Sequence, residues 1–185
     1  MKVISGNRSK RKALTARLEV FSKISNAKFV VRLAYREDID DLVAIENSAW
    51  SSEQRADRKT IIKRLDNSDE SFFVIEDPNG CLVGFVCCVG LQFFDESVVE
   101  NWEYYANLSL SQNLRKKKAP RFLYAVSISV ADFAPRGTAS ALLRGVSRWG
   151  HSIGIEKLIY GARVPGFRDA FLRGISIDVY LQLVL

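Results

Sequence analysis

The residues best placed to do chemistry lie in the string Ala134-Pro135-Arg136-Gly137-Thr138-Ala139-Ser140. Gly137 is followed by three small residues, at the point where an apolar alternating strand starting at Leu123 gives way to a helical pattern. The first amide N–H groups of a helix have no intrahelical acceptor. Small side chains leave them uncovered, and with the helix dipole behind them they can hold a pyrophosphate. Gly137 is expected to face such a ligand with no side chain between, and Arg136 adds one exposed cation, a modest contribution beside a set of amides. The other reactive groups offer less. His151, the single histidine, falls at the far end of the helix, where a surface role is favoured over a catalytic one. Cys81, Cys87 and Cys88 fall in one predicted strand, with adjacent Cys87 and Cys88 on opposite faces and no Cys/His spacing for a metal. They read as reduced core residues of a cytosolic protein, and no metal is expected.

The elements that must position this turn follow from the pattern around it. A second strand, Glu156–Gly161, comes after Gly154, so the unit reads strand, glycine turn, helix, strand. Upstream, Phe29–Ala34 predicts a first strand, and Tyr35-Arg36-Glu37-Asp38 leads into a helix with Ile39, Leu42, Val43 and Ile45 inward, followed by Trp50. A second helix over about Arg58–Leu65 carries Ile61, Ile62 and Leu65 on its apolar stripe. Glu70–Glu76 and Cys81–Val89 read as strands around Asp77-Pro78-Asn79-Gly80, a strong hairpin signal. Residues 92–122 form an insertion with an amphipathic helix, Glu96–Asn107, and the basic run Arg115–Lys118. A surface excursion whose aromatics pack on the core is favoured there over a flap beside a cleft. Beyond Gly161, Arg163–Phe167 turns into a helix carrying Phe171, Leu172 and Ile175, and the chain ends in the apolar run Tyr180–Leu185.

A chain of 185 residues suits one domain, and at that size roughly 70% of the unfolded surface can be buried. With 48% hydrophobic and 26% charged residues it has the composition of an ordinary globule, without an apolar run long enough for a spanning helix. No signal peptide is read from Met1–Ser5, and the expected location is cytoplasmic. The net charge of +6 is uneven: residues 1–28 carry eight Lys or Arg against Glu19, a balance of +7, which leaves the rest at −1. This predicts a basic N-terminal arm or helix over 1–28, capped at Ser9 and running through Lys23 with Leu14, Leu18 and Phe21 on one face, followed by a domain over 29–185. A solvated linker or a helix packed on the domain is favoured over docking on an acidic partner, RNA or a membrane surface.

The turn resembles the pantetheine and pyrophosphate loop of the GNAT N-acyltransferase superfamily, written R/Q-x-x-G-x-G/A. Gly137 and Ala139 match, and Ala134 stands where the family has Arg or Gln. VRLAYREDIDDLVAIENSAW is similar to the family's opening strand and helix, and FFVIEDPNGCLVGFVCCVG to its next strand pair. The likenesses run in order over about residues 29–175. The resemblance implies an α/β (α+β) fold: a mixed, mostly antiparallel central sheet flanked by helices, here lacking the family's C-terminal strand pair. The domain therefore reads as C-terminally incomplete or completed by a partner, a homo-oligomer included. A weaker resemblance, carried by the insertion, the GARVPGF turn and the absent base, is to GNAT-like acyl loading domains of polyketide pathways.

What the resemblance implies for function is transfer of an acetyl or other acyl group from acyl-CoA to an amine or carrier-thiol acceptor. Arg136, Gly137, Thr138, Ala139 and Ser140 would hold the CoA phosphates. Backbone groups of Ile128, Ser129 and Val130 on the fourth strand would meet the pantetheine and polarise the thioester carbonyl. Tyr180 falls in the segment where many members keep their general acid, although core packing is the more economical reading of the residue itself. No carboxylate lies between Tyr124 and Ala131, so the family's usual fourth-strand Glu is missing. Ala134, that missing carboxylate and the missing strand pair support an alternative, a non-catalytic acyl-CoA-binding or scaffold domain. Nucleic-acid binding through the arm is a third and less favoured reading.

Overall fold

The computed structural model describes residues 17–68, 71–94, 102–110, 120–161 and 172–175. Inward and outward residues alternate through β1 (Leu18–Ser22) and β2 (Ala27–Leu33), with Val20, Ser22, Phe29 and Val31 buried. The turn between them closes on Asn26 at φ 49°, a residue type that tolerates the left-handed region. A 3-10 turn (Arg36–Asp38) leads into α1 (Ile39–Ala49), and α2 (Arg58–Asn67) starts on Asp57, whose carboxylate accepts the Thr60 N–H at 2.7 Å. β3 (Phe72–Glu76) and β4 (Leu82–Leu91) form the expected hairpin, its turn fastened by the Asp77 carboxylate accepting the N–H groups of Asn79 and Cys81 at 2.9 Å each. Then come α3 (Trp102–Ser109), β5 (Phe122–Val130), α4 (Thr138–Ser152) and β6 (Lys157–Tyr160).

The six strands lie in chain order, β1 to β6, and every pair is antiparallel except β5 and β6. Those two are parallel because α4 carries the chain back to the same end of the sheet. The fold is thus a mixed, mostly antiparallel sheet with helices on both faces, as the sequence implied. One face carries α4, with Ala141, Leu142, Val146 and Trp149 packed among Val31, Phe73, Val86 and Leu123. Trp149 meets Phe73 edge-on at 4.7 Å between ring centroids. A Cβ on Gly145 would stand 2.6 Å from a Val31 methyl, so a bare backbone lets the helix settle this close. The other face carries α1, α2 and α3 over Phe72, Val74, Phe85, Cys87, Val89, Tyr124 and Val126. Cys87 and Cys88 enter opposite clusters, as their adjacency required, while Cys81 lies exposed in the hairpin turn rather than in the strand.

A buried ionic cluster joins β2, β3 and the start of α1. Arg32 donates to Glu76 (Nε–Oε1, 2.7 Å) and forks onto Asp38 (2.7 and 2.8 Å), while Asp38 also accepts the Tyr35 N–H at 2.7 Å. Arg17 donates to the second oxygen of Glu76. Burial alone would push the Asp38 carboxyl up, but the hydrogen bonds from Arg32 and Tyr35 outweigh it and hold the group below its usual range.

Two sequence expectations change. The helix through Lys23 is replaced by β1 from Leu18 to Ser22, so residues 17–28 belong to the sheet and not to a separate arm. Leu18 and Phe21 suit a helical stripe, but β1 finds a ready edge on β2 and a floor on α4, and tertiary pairing overrides the local pattern. The insertion helix is described from Trp102 to Ser109, two residues past its expected end at Asn107; Glu96–Asn101, the Arg115–Lys118 run and the Arg163–Phe171 segment lie outside the described residues. Among the described residues no helix is long and apolar enough to cross a membrane, and no group of His, Cys, Asp or Glu is arranged to hold a metal ion.

Asp38→Asn should cost about 3 kcal/mol, the scale of breaking a buried ion pair, read as a lower urea midpoint. Because the native Asp38 carboxyl titrates below its unfolded value, its contribution is present above the ordinary carboxyl range and fades as pH falls through the native value. Wild type should therefore lose this contribution below roughly pH 4, and the Asn variant should show a flatter acid limb. For the thiols, burial pushes Cys87 up to about 12 and Cys88 well above the usual value. Native protein treated with iodoacetamide near neutral pH should label Cys81 alone, and all three cysteines only after denaturation, as counted by mass spectrometry.

Candidate functional site

The site is built on a mismatch between two strands. β5 pairs with β4 along its whole length, from Leu91↔Phe122 to Gly84↔Val130, but with β6 only over Phe122↔Lys157, Leu123↔Leu158, Tyr124↔Ile159 and Ala125↔Tyr160. The joined end is clamped by Arg121, which forks onto Glu156 (2.6 and 2.9 Å) while the Glu156 N–H donates to the Arg121 carbonyl at 2.7 Å. From Val126 onward β5 has no strand on that side among the described residues.

The ladder decides which backbone groups face this opening. In an antiparallel pair the bonded positions alternate. The Ala131 N–H donates to the Val83 carbonyl at 3.0 Å, so Ser129 and Ser127 turn their backbones toward β4, and Ile128 and Val130 turn theirs to the open side. The register slips between Cys87 and Cys88, whose partners are Ser127 and Ala125, and Val126 is left as a bulge. Its freed carbonyl accepts the Trp102 indole N–H from α3 at 2.7 Å. Beside it Tyr105 stacks on Tyr124 at 3.9 Å between centroids, 19° from parallel, and burial pushes the Tyr124 phenol up.

The open side of β5 leads into the glycine turn. Gly137 caps α4 with φ 86°, in the left-handed region. The place its side chain would take is filled from the β1–β2 hairpin, with Ser22 Oγ 2.6 Å and Ile24 Cβ 3.2 Å from an added Cβ. The bare side of Gly137 therefore faces the hairpin, whereas the sequence predicts that it faces a ligand. Thr138 is buried, and both its N–H (3.2 Å) and its hydroxyl (2.6 Å) donate to the Pro135 carbonyl. Ala139 and Ser140 are exposed, and among the described residues their N–H groups have no acceptor. Arg136 is exposed at the rim. This is an anion-binding geometry: two uncommitted first-turn amides, the positive end of a 15-residue helix and one cation.

Of the residues selected from sequence, the structure brings Ile128 and Val130 to the open edge and Arg136, Gly137, Ala139 and Ser140 to its end. Ser129 is 1% exposed and points inward: its hydroxyl donates to Glu46 Oε2 and accepts the Trp50 indole N–H at 2.8 Å. Glu46, 2% exposed on α1, also accepts the Ala56 N–H at 2.8 Å. Sequence reasoning passed over Glu46, Trp50 and Trp102. The available signal was positional: Glu46 stands four residues after Leu42, on the inward stripe assigned to Val43, which the structure leaves half-buried. His151 is exposed at the end of α4, away from the turn, as expected. Tyr180 lies outside the described residues.

No protein-family model matches the chain, and no curated protein matches it. Solved structures do. The GphF GNAT-like decarboxylase in complex with isobutyryl-CoA is 20% identical, with a TM-score of 0.61 over 82% of this chain and 75% of that one. The loading GNATL domain of CurA from Lyngbya majuscula is 17% identical, with a TM-score of 0.60 over 76% and 68%. AAC(6')-Iy in complex with a CoA-linked acetylneamine bisubstrate analogue is 12% identical, with a TM-score of 0.51 over 79% and 87%. The chain thus has the fold of GNAT-like acyltransferases.

Two substitutions separate the roles of the turn. Gly137→Ala should lower the melting temperature by several degrees, since a left-handed alanine costs about 1–2 kcal/mol before the contact with Ser22 is counted. Ala139→Glu, at an exposed first-turn position, should leave stability unchanged or raise it by about 0.3–1 kcal/mol, because an acidic residue suits a helix N-terminus. It should nevertheless weaken binding of inorganic pyrophosphate, measured by calorimetry. Equal pyrophosphate affinity in this variant and wild type would remove the anion site from this turn.

Proposed function

We propose that the chain binds an acyl-CoA and transfers its acyl group to an amine or carrier-thiol acceptor. The observation that carries this reading is the open edge of β5, which presents the backbone of Ile128 and Val130 and runs directly into the uncommitted amides of Ala139 and Ser140. A pantetheine arm laid along that edge continues the sheet by hydrogen bonding, and its pyrophosphate meets the helix end with Arg136 beside it. Thr138 and Gly137 hold the turn in shape, and Ser129 fixes the strand through Trp50 and Glu46. Fold neighbours crystallised with isobutyryl-CoA and with a CoA bisubstrate analogue support the choice of ligand.

The chemistry needs few groups. The acceptor attacks the thioester carbonyl and gives up its proton to solvent, a β5 backbone N–H near the bulge stabilises the developing oxyanion, and as the C–S bond breaks the departing CoA thiolate takes a proton, for which Tyr180, reprotonated from solvent, is the proposed donor. Placement of the thioester supplies most of the rate by orientation. A cytosolic setting goes with this co-substrate and with the reduced thiols. A second reading, a non-catalytic acyl-CoA-binding domain, is favoured by one specific contact: Trp102 already occupies the bulge carbonyl, and Tyr105 covers Tyr124 beside it.

Calorimetry with acetyl-CoA, followed by thiol release in the presence of an amine panel, tests both. Binding with thiol release that rises with acceptor concentration is the expected result. Binding without release selects the second reading, and absence of binding by any acyl-CoA rejects both.

A further inference from the structure

α2 turns two unsatisfied donors toward the interior. Its buried residues are Ile61, Arg64 and Asn67, three apart and so on one face of the helix. Ile61 joins the apolar cluster under α1 and α3. Arg64 is 7% exposed, and among the described residues no oxygen meets any of its guanidinium nitrogens. Its Nε is fully enclosed and has no hydrogen-bond partner. Asn67, one turn on and 5% exposed, has its Nδ2 enclosed and unpaired.

Among the described residues no carboxylate pairs with Arg64. Glu46 lies on the same side of the sheet, and its charge and that of Arg64 both reach the Cys87 thiol. Yet Glu46 spends its two oxygens on Ser129 and the Ala56 N–H and forms no ion pair with Arg64. A guanidinium cannot shed its proton to escape burial. Buried charges that persist are paired, so a guanidinium left unpaired among the described residues is suited to an anionic ligand. Both orphans are donors, which calls for an acceptor with several lone pairs. Cys87, whose thiol the Arg64 charge reaches, is the β4 residue opposite Ser127, next to the Val126 bulge, and it shares an apolar cluster with Ile61 of the same helix face, so Arg64 is on the side of the sheet where an acyl chain or acceptor would lie.

We propose that Arg64, assisted by Asn67, is a recognition site for a carboxylate on a small-molecule ligand. The site rests on geometry independent of CoA binding. Within the acyl-transfer reading the carboxylate has two sources, the far end of a dicarboxylic acyl group or the acceptor.

The first experiment needs no CoA. The full chain with 15N-labelled arginine is titrated with sodium propionate, against sodium chloride at equal ionic strength, and the arginine Nε–Hε signals are followed. One signal should move saturably with propionate alone, and it should be missing in Arg64→Met. That variant should melt at the same temperature as wild type or higher, since it removes a buried charge without a partner. A wild type without a propionate-specific shift, or an Arg64→Met variant that melts well below wild type, overturns the proposal and makes Arg64 structural. The sources are then separated with succinyl-CoA against pentanoyl-CoA and with alanine against alaninamide as acceptors. In one arm wild type should prefer the carboxylate by about tenfold or more, with the preference lost in Arg64→Gln. Preference in neither arm, with CoA itself bound, overturns the proposal while the acyl-CoA reading survives. CoA failing to bind rejects that reading and leaves the propionate result to decide the carboxylate site.

Discussion

The molecule is organised by the unequal demands on β5. That strand is nine residues long, is paired with β4 from end to end except at the Val126 bulge, and meets a parallel neighbour of only four residues. A parallel strand reached through a helix must begin where the crossover delivers it, and the Arg121–Glu156 clamp fixes that point at the start of both strands. The remainder of β5 keeps its register from β4 alone and offers every second backbone unit to whatever lies on the other side. Exposed strand edges are usually covered or blunted. Here the edge runs toward a helix N-terminus with free amides, so a ligand that is an extended amide chain at one end and an anion at the other answers both needs at once.

The glycine turn is only as well placed as α4, and α4 is seated by β1 and β2. Gly145 lets the helix approach Val31, Gly137 accepts the Ser22–Ile24 corner of the hairpin, and Arg144 and Arg148 reach back to the outer carbonyls of Phe21 and Glu19 at 3.3 and 3.5 Å. Those two arginines also shield the edge of β1, a common device against unwanted strand pairing. The basic N-terminal stretch is thereby tied to the site through packing. Its residues from Arg17 onward shape the turn from behind, and Arg17 joins the Arg32–Glu76 cluster.

What was legible in the sequence follows from the range of the interactions involved. The β3–β4 hairpin is specified by Asp77, Asn79 and Gly80 within four residues, and the strand-turn-helix at Gly137 by short-range chemistry too, so both were readable. β1 was misread because its apolar spacing fits a helix almost as well as a strand, and the choice is made by β2 and α4, which local pattern does not contain. Glu46 was missed for a related reason. A carboxylate on an apolar stripe looks like a boundary residue until Ser129, eighty-three positions away, is known to donate to it. The bulge at Val126 has no local signature at all; it is a property of the β4 register and shows only when Cys87 and Cys88 are paired.

The side chains at the bulge bear on whether the open edge can be used. Trp102 is 56% exposed, although its indole N–H holds the Val126 carbonyl. A hydrogen bond of this kind contributes about 1 kcal/mol net, and a stacked aromatic pair such as Tyr105 and Tyr124 about 0.5–1.5 kcal/mol beyond its buried area. Together these are small beside the roughly 8 kcal/mol of a micromolar complex. A ligand amide that replaced the indole on the same carbonyl would recover much of the loss, and a half-exposed tryptophan has solvent to move into. The α3 contacts are therefore weak as a barrier to entry and effective as a lining: they keep the carbonyl satisfied in the empty protein, where an unpaired carbonyl on a buried bulge would be costly. Occupation of the bulge by Trp102 consequently counts less against acyl transfer than the bare contact suggests.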